Sequence, residues 1–317
     1  MATVPRLLPP AKALGAASVL VAVVLGVGLL AAWWGGPELG VAASLGGLSV
    51  LLVTLRAEDP RLPLGFGAVV AVLAALATTA AGDPLLLAMI VAASAVAGQP
   101  LLRRLGPVIG SAPVVVAAAG TGTASLGAGE AAVGVMAGAA SVVLVARLTL
   151  SRRLPPEPLS RRVTWAFMGT LAIGSGLAIG IATLLELPNA LWVVVALCAV
   201  LVPGYVETRA RAIGRVTGTL IGALVGAVIA TMLPAWVLVV LAGLALLAGI
   251  SWALVRSRRA AGAYVAVATV LIAGAGDLGA AWDTALDRVG LTLLGAAIAM
   301  VLALGVRAVE RREERAA

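Results

Sequence analysis

RARAIGRVTGTLIGALVGA, residues 209–227, sets three arginines directly against a run of regularly spaced glycines. The glycines recur every four residues, at Gly214, Gly218, Gly222 and Gly226. On a helix this spacing forms a stripe of small residues along which another helix can approach closely. The stripe alone favours helix packing over ligand binding, with a neighbouring helix or a second copy of the chain, in a homodimer, as the partner. The role of the arginines depends on the solvent around them.

The composition identifies that solvent. Hydrophobic residues make up 62% of the chain and charged residues only 11%, which a water-soluble domain of 317 residues would not tolerate. The net charge of +8 is divided among short clusters between apolar runs, which indicates membrane topology and not a nucleic-acid partner. We therefore predict an all-α, polytopic membrane protein whose principal partner is the lipid bilayer.

Cysteine and histidine usage excludes several kinds of chemistry. The sequence has no histidine, and its single cysteine, Cys198, lies in an apolar run. Neither a disulfide framework nor a histidine-based metal site is expected. No nucleophile motif, phosphate-binding loop or paired intramembrane carboxylate appears either, so we expect no enzymatic activity, no cofactor and no metal.

Apolar stretches separated by glycine, proline and charge predict twelve membrane spans. The first six are expected at 12–33, 38–55, 63–81, 84–98, 108–127 and 130–148. The second six are expected at 164–185, 189–203, 211–232, 235–253, 260–276 and 284–306. The first stretch is long for a signal peptide and is followed by further spans, so it is interpreted as span one.

The basic residues predict the orientation, because cytoplasmic loops hold most of the lysines and arginines of a membrane protein. With both termini placed in the cytoplasm, Arg288 is the one basic residue of 22 that falls on the outer side. Adding or removing a span would invert every later loop and destroy this asymmetry. The sequence therefore predicts twelve spans with both termini inside.

A polar, proline-rich segment, SRRLPPEPLSRR at 151–162, divides these spans into six and six. It predicts a first membrane half at 1–150, a cytoplasmic linker at 151–163, a second membrane half at 164–307 and a charged cytoplasmic tail at 308–317. Because each half contains an even number of spans, both would have the same orientation, as in a parallel repeat. Sequence similarity between the halves is weak, so the division rests on loop spacing.

The three arginines of the opening segment differ in depth. Arg209 and Arg211 are placed to snorkel to the cytoplasmic interface. Arg215 lies one turn, about 6 Å, further in, on a face that also carries Thr219. A guanidinium at that depth needs an anion, a carbonyl group or a water-filled cavity. The residues alone leave two interpretations of Arg215 open, an orientation-setting interfacial charge and an anion ligand.

A break in the chain precedes this segment. Pro203 and Gly204 end the eighth predicted span after about 15 residues, which is shorter than a full crossing helix. Backbone groups freed at that depth must line a cavity or be covered. Tyr205 follows directly and is either an interfacial tyrosine or a hydroxyl and stacking face for an aromatic solute.

Arg288 has an unusual position, since it lies on the outer side in the predicted topology. Asp283 and Asp287 precede it closely in the sequence. Two interpretations remain open for Arg288, a local ion pair with these carboxylates and an outer gate for anions.

Two motifs in the second half resemble a known family. Arg215-x-x-Gly218-Thr219-x-x-Gly222 is similar to the RxxGTxxG signature of the fusaric acid resistance and aromatic acid exporter family. DRVGLTLLGAAIA, residues 287–299, resembles the companion R-x-x-x-T-x-x-G motif of that family, here running from Arg288 to Gly295. The first half lacks the signature, and its equivalent region reads RLPLGFGAVVAV, residues 61–72.

The resemblance implies a bacterial inner-membrane permease that exports aromatic or other organic carboxylates. It also implies that basic residues face an anion pathway, which favours Arg215 as a ligand of a small organic anion. Members of the family typically carry soluble cytoplasmic domains after each membrane half, whereas this sequence has a short linker and tail at those places.

Two other classes of protein remain open. A major-facilitator-like secondary transporter would share the twelve spans, but the loop RAEDPRLPLG, residues 56–65, lacks the basic, glycine-bounded pattern expected after its second span. A non-transporting membrane assembly or scaffold protein would explain the glycine faces without any pathway.

Overall fold

The chain folds into helices joined by short turns, as seen in a computed structural model that describes residues 9–108, 111–122, 126–149, 155–255 and 257–316. The helices of the first part are α1 Ala11–Gly35, α2 Pro37–Arg56, α3 Arg61–Thr79, α4 Pro84–Ala97, α5 Gln99–Leu105, α6 Ser111–Gly120 and α7 Ala128–Thr149. Those of the second part are α8 Arg161–Leu184, α9 Leu191–Val200, α10 Tyr205–Ala230, α11 Ala235–Leu254, α12 Arg258–Gly276 and α13 Leu278–Ala316. The all-α prediction is confirmed for these residues.

Nine candidate membrane spans of at least 18 residues lie in the described part of the chain. They are 37–56, 61–79, 84–105, 128–148, 161–184, 205–230, 235–253, 259–276 and 279–307. Large apolar side chains on these helices are left facing outward, as the hydrocarbon core of a bilayer requires. Length and composition therefore identify a multi-pass membrane protein.

The other three predicted spans coincide with shorter apolar stretches of described helix: Val21–Gly35 within α1, Ser111–Gly120 and Leu191–Val200. Helices α6 and α9 have ten residues each, or about 15 Å, which is half of a hydrocarbon core of about 30 Å. Helix α9 ends before Pro203, whose ring cannot continue a helix. The non-helical residues 201–204 follow, and Gly204 has a φ of +106°, which favours glycine.

The described residues form two compact units, and the division between them falls inside α1, α10 and α13. One unit consists of Ala210–Ala296 with the described part of Met1–Ala22. The other consists of the described residues of Val23–Arg209 and Ala297–Ala317. The predicted division into halves at 1–150 and 164–307 stays a prediction. Linker residues 151–154 lie outside the described residues. Four of the arginines that were counted to predict the orientation also lie outside them: Arg6, Arg152, Arg153 and Arg256.

In the larger unit, α7 packs against α2 and α3, and α8 packs against α4. Small residues make the first contact close, because Gly138 lies against the carbonyl of Ala43 and Gly46 against the backbone of Val135. The described end of the linker is also held, since Arg56 Nη2 lies 3.3 Å from Glu157 Oε2. A second nitrogen of that guanidinium, Nη1, donates a hydrogen bond to the Leu105 carbonyl at 2.8 Å.

In the smaller unit, the glycine stripe of α10 lies against the backbone of α12. The contacts pair Gly218 with Arg259, Gly222 with Ala263 and Gly226 with Val267. Both residue numbers rise together, so the two helices run in the same direction. A core of small residues and leucines continues outward from this contact: Ala223, Ala227, Ala230, Leu238, Ala242, Val270, Leu271, Ala281 and Ala285.

Candidate anion-binding site

Arg288 lies inside the smaller unit and is only 4% exposed. Its Nε donates a hydrogen bond to the hydroxyl oxygen of Thr269 on α12, at 3.0 Å. The Thr269 hydroxyl uses its own proton on its helix, since it lies 3.0 Å from the Ala266 carbonyl and 3.2 Å from that of Val265. The threonine therefore presents a lone pair to the arginine, and this contact holds the Arg288 side chain against α12.

Arg215 lies on α10 and packs against a different point of α12. A Cβ added at Gly262 would be 3.6 Å from Arg215 Cδ and 3.8 Å from Nη1, so the arginine side chain lies in van der Waals range of this position. The Nε atom of Arg215 is buried and has no hydrogen-bond partner among the described residues. No described carboxylate lies within salt-bridge distance of this guanidinium. A buried donor without a partner is costly, so this nitrogen is available to an acceptor that the described residues do not supply.

Helix α12 brings the two arginines together. Gly262 and Thr269 are seven residues apart, which places them on one face of the helix with a separation of about 10.5 Å along its axis. Arg215 contacts that face at the first position and Arg288 at the second. Two arginine side chains that reach one face of α12 from neighbouring helices bring their positive charges toward each other. The arrangement creates a positive region within the membrane-spanning part of the helices.

A threonine follows each arginine by four residues, which places it on the same helix face. Thr219 follows Arg215 and is 3% exposed, and Thr292 follows Arg288 and is 4% exposed. Hydroxyl groups in these positions can donate to the oxygen atoms of an anion or accept from a guanidinium. The two sequence motifs thus supply the same pair of side chains from two helices.

The remaining predicted site residues lie in the break before α10, at its start, in the glycine stripe and on α13. Arg209 is exposed and Arg211 is half-buried. Pro203 is half-buried and Gly204 exposed, in the break before α10, while Gly214 and Gly295 are buried within their helices.

Tyr205, the first residue of α10, belongs to the larger unit. One face of its ring is covered by the guanidinium of Arg307, whose Cζ is 4.6 Å from the ring centroid. Both residues line a cavity of about 290 Å³.

Sequence reasoning missed Thr269 and Gly262. Thr269 is a single hydroxyl within the apolar run AVATVLIAGAG, residues 266–276, and such an isolated polar residue is the signal that could have identified it. Gly262 belongs to no spaced pattern, so its role follows only from the contact with Arg215. Arg307 was counted only among the basic residues that predict the orientation in the membrane. The sequence contains no sign of its contact with Tyr205.

Together, the long apolar helices and their outward-facing apolar side chains define a multi-pass α-helical membrane protein. Residues 177–302 match the family model described as fusaric acid resistance protein-like, and this segment contains both arginine motifs. The resemblance to the fusaric acid resistance family is thereby confirmed over that segment, and the family implies a transporter-like role in resistance or export and not an enzymatic one. Comparisons with curated proteins and with solved structures gave no match to the chain.

Proposed function

We propose that this protein is a bacterial inner-membrane permease that exports aromatic or other organic carboxylates. The observation that carries the proposal is the half-buried Arg215 side chain, whose buried Nε has no partner among the described residues, with Arg288 on the same face of α12. Both arginines belong to the segment that matches the fusaric acid resistance family.

Electrostatics supports an anion as the ligand. Two positive charges inside a membrane protein repel each other strongly, because the surroundings screen them poorly. A carboxylate near both would reverse the sign of this interaction and would receive hydrogen bonds from Arg215. A guanidinium can hold a carboxylate through two parallel hydrogen bonds, a geometry that a lysine ammonium does not provide.

The two buried threonines complete the proposed site. Thr219 and Thr292 each lie one turn from an arginine and would donate hydroxyl hydrogen bonds to the carboxylate or to a polar group on the substrate. Arg288 would act as a second positive group, oriented by Thr269. Arg209 and Arg211, at the start of α10, would attract anions to the cytoplasmic entrance.

The proposed topology has twelve hydrophobic segments in two parallel groups of six, with the termini and the linker in the cytoplasm. The asymmetry of the basic residues supports it, as do the nine long and three short apolar helices that coincide with the predicted spans. The proposal also includes a homodimer as the assembled form and no nucleic-acid partner.

A flux assay tests this function. The purified protein, reconstituted in proteoliposomes, would be given a panel of radiolabelled aromatic and aliphatic carboxylates, with amino acids and sugars as controls. We expect saturable carboxylate flux that requires the protein, and no flux of the controls. Protein of native stability that moves none of the carboxylates, with or without a pH gradient, would favour the membrane scaffold. Flux of the controls would favour a major-facilitator-like carrier.

A further inference from the structure

The cavity beside Tyr205 and Arg307 lies in the larger unit, and its lining includes none of Arg215, Thr219, Arg288 and Thr292. Its walls come from the first turns of α8, the break before α10 and the end of the apolar part of α13. From these observations we infer that the cavity is a binding site for the headgroup of an anionic phospholipid.

The depth of the cavity matches that of lipid phosphate groups. Val163 lies two residues after the start of the candidate span 161–184, Tyr205 is the first residue of 205–230, and Arg307 is the last of 279–307. All three span boundaries therefore meet at the cavity. The hydrocarbon core of a bilayer ends where the charged headgroups begin, which is the level of the ends of spanning helices. A ligand bound here contacts polar and apolar surroundings at once.

The polar end of the cavity suits a phosphate. Arg307 stacks on the Tyr205 ring through its face, which leaves the edge of the guanidinium and its N–H groups available. Among the described side chains no carboxylate pairs with Arg307. The first backbone N–H groups of α10 lie beside it, because the helix starts at Tyr205, and they add positive potential. Arg161, two residues before Val163, is exposed and adds a positive charge at the start of α8.

The apolar end of the cavity suits lipid chains. Phe167 and Ala303 form buried parts of its wall, at 8% and 7% exposure, whereas Val163 is 38% exposed at its edge. The cavity thus opens on the outer surface of spanning helices, which lipid covers. A phospholipid can enter sideways from the bilayer without leaving it. The volume of about 290 Å³ is at the low end of the roughly 300–1,000 Å³ of ligand pockets, which is adequate for a headgroup whose chains remain outside.

A lipid-binding experiment on the full chain tests this inference. The delipidated protein in detergent would be titrated with phosphatidylglycerol or phosphatidylcholine and observed by native mass spectrometry and by its thermal unfolding midpoint. We expect phosphatidylglycerol to bind at least tenfold more tightly than phosphatidylcholine and to raise the midpoint by several degrees. The Arg307→Gln variant should lose most of this preference, and Tyr205→Leu should weaken it.

Arg147→Gln is the matched control, since Arg147 is an exposed arginine in the last turn of α7 and does not line the cavity. It should retain the preference for phosphatidylglycerol. Glycerol 3-phosphate and benzoate distinguish other ligands: stabilisation by either to the same extent as by phosphatidylglycerol, and dependent on Arg307, would overturn the lipid assignment. Equal lipid binding by Arg307→Gln and by the unchanged protein would also overturn it. Arg215 variants should bind lipid normally. The lipid-binding result can therefore be interpreted even if the proposed transport function is wrong.

Discussion

Arg288 donates a hydrogen bond from Nε to the hydroxyl of Thr269 at 3.0 Å, joining α13 to α12 inside the membrane-spanning part of the protein. The two residues are 19 positions apart in the sequence, and the turn between α12 and α13 lies between them. The contact matters because it holds one guanidinium on the helix face that Arg215 also contacts, at Gly262. The positive region of the proposed carboxylate site depends on both.

Removal of this hydroxyl should loosen Arg288. Thr269→Val keeps the shape of the side chain but leaves a buried charged donor without its acceptor, which typically costs about 1.5–3 kcal/mol. We expect a lower thermal unfolding midpoint in detergent and weaker carboxylate flux. Thr217→Val is the control, because the Thr217 hydroxyl bonds to the Ile213 carbonyl of its own helix at 2.7 Å. If the two variants behaved alike, the hydrogen bond would not orient Arg288.

The glycine stripe should tolerate no side chain at its centre. In Gly222→Leu, even the first added carbon would collide with the Ala263 carbonyl, so α10 and α12 must separate. Overpacking of this kind typically costs about 1–3 kcal/mol. The unfolding midpoint in detergent should fall, and any oligomer formed through this face should change in size. Gly243→Leu should do neither, since a Cβ at Gly243 on α11 meets nothing within 4 Å. Wild-type stability of Gly222→Leu would contradict the packing described here.

The contact between Arg56 and Glu157 should be unequal in its two partners. Glu157 is 50% exposed, so Glu157→Gln should change the free energy of unfolding by no more than about 1 kcal/mol. Arg56 is 14% exposed and also donates to the Leu105 carbonyl, so Arg56→Met should cost more, roughly 1.5–3 kcal/mol. Unfolding of each variant in detergent measures the difference, and equal effects would show that the ion pair alone holds the linker.

The topology is open to a direct test with reporter fusions. Fusions at the two termini and after residue 158 should all report a cytoplasmic location, because the basic residues concentrate in the loops on that side. A fusion in the turn at 186–189, between α8 and α9, should report the opposite side. An extracytoplasmic signal at the linker would show that the first part of the chain does not cross the membrane an even number of times.

Much of the fold could be predicted from sequence because bilayer thickness and backbone hydrogen bonding restrict membrane proteins to long apolar helices. The nine long helices therefore lie where apolar stretches were expected. The shortness of α6 and α9 was harder to predict. Pro203 indicated an early end for α9, whereas the predicted span 108–127 ran on through the Thr-Gly residues 121–122 that follow the end of α6.

The site was less predictable, because side-chain partners on different helices depend on packing. The depth of Arg215 was visible in the sequence, and so was its motif. Its position beside Gly262 and its proximity to Arg288 were not, since topology placed the two arginines toward opposite sides of the membrane. Long arginine side chains and two turns of α12 bridge that separation, which residue spacing along one helix cannot show.

The central claim is that Arg215 is a ligand of the transported carboxylate, and carboxylate flux through reconstituted Arg215 variants tests it most directly. Arg215→Lys retains the charge but not the two parallel hydrogen bonds, and Arg215→Gln loses the charge. We expect the apparent affinity to fall on the order of tenfold for lysine and up to a hundredfold for glutamine, with both proteins inserted normally. Arg104→Gln, at an exposed arginine of α5, should transport as the unchanged protein does. Unchanged flux in correctly inserted Arg215→Lys and Arg215→Gln proteins would contradict the account and leave Arg215 as an interfacial charge.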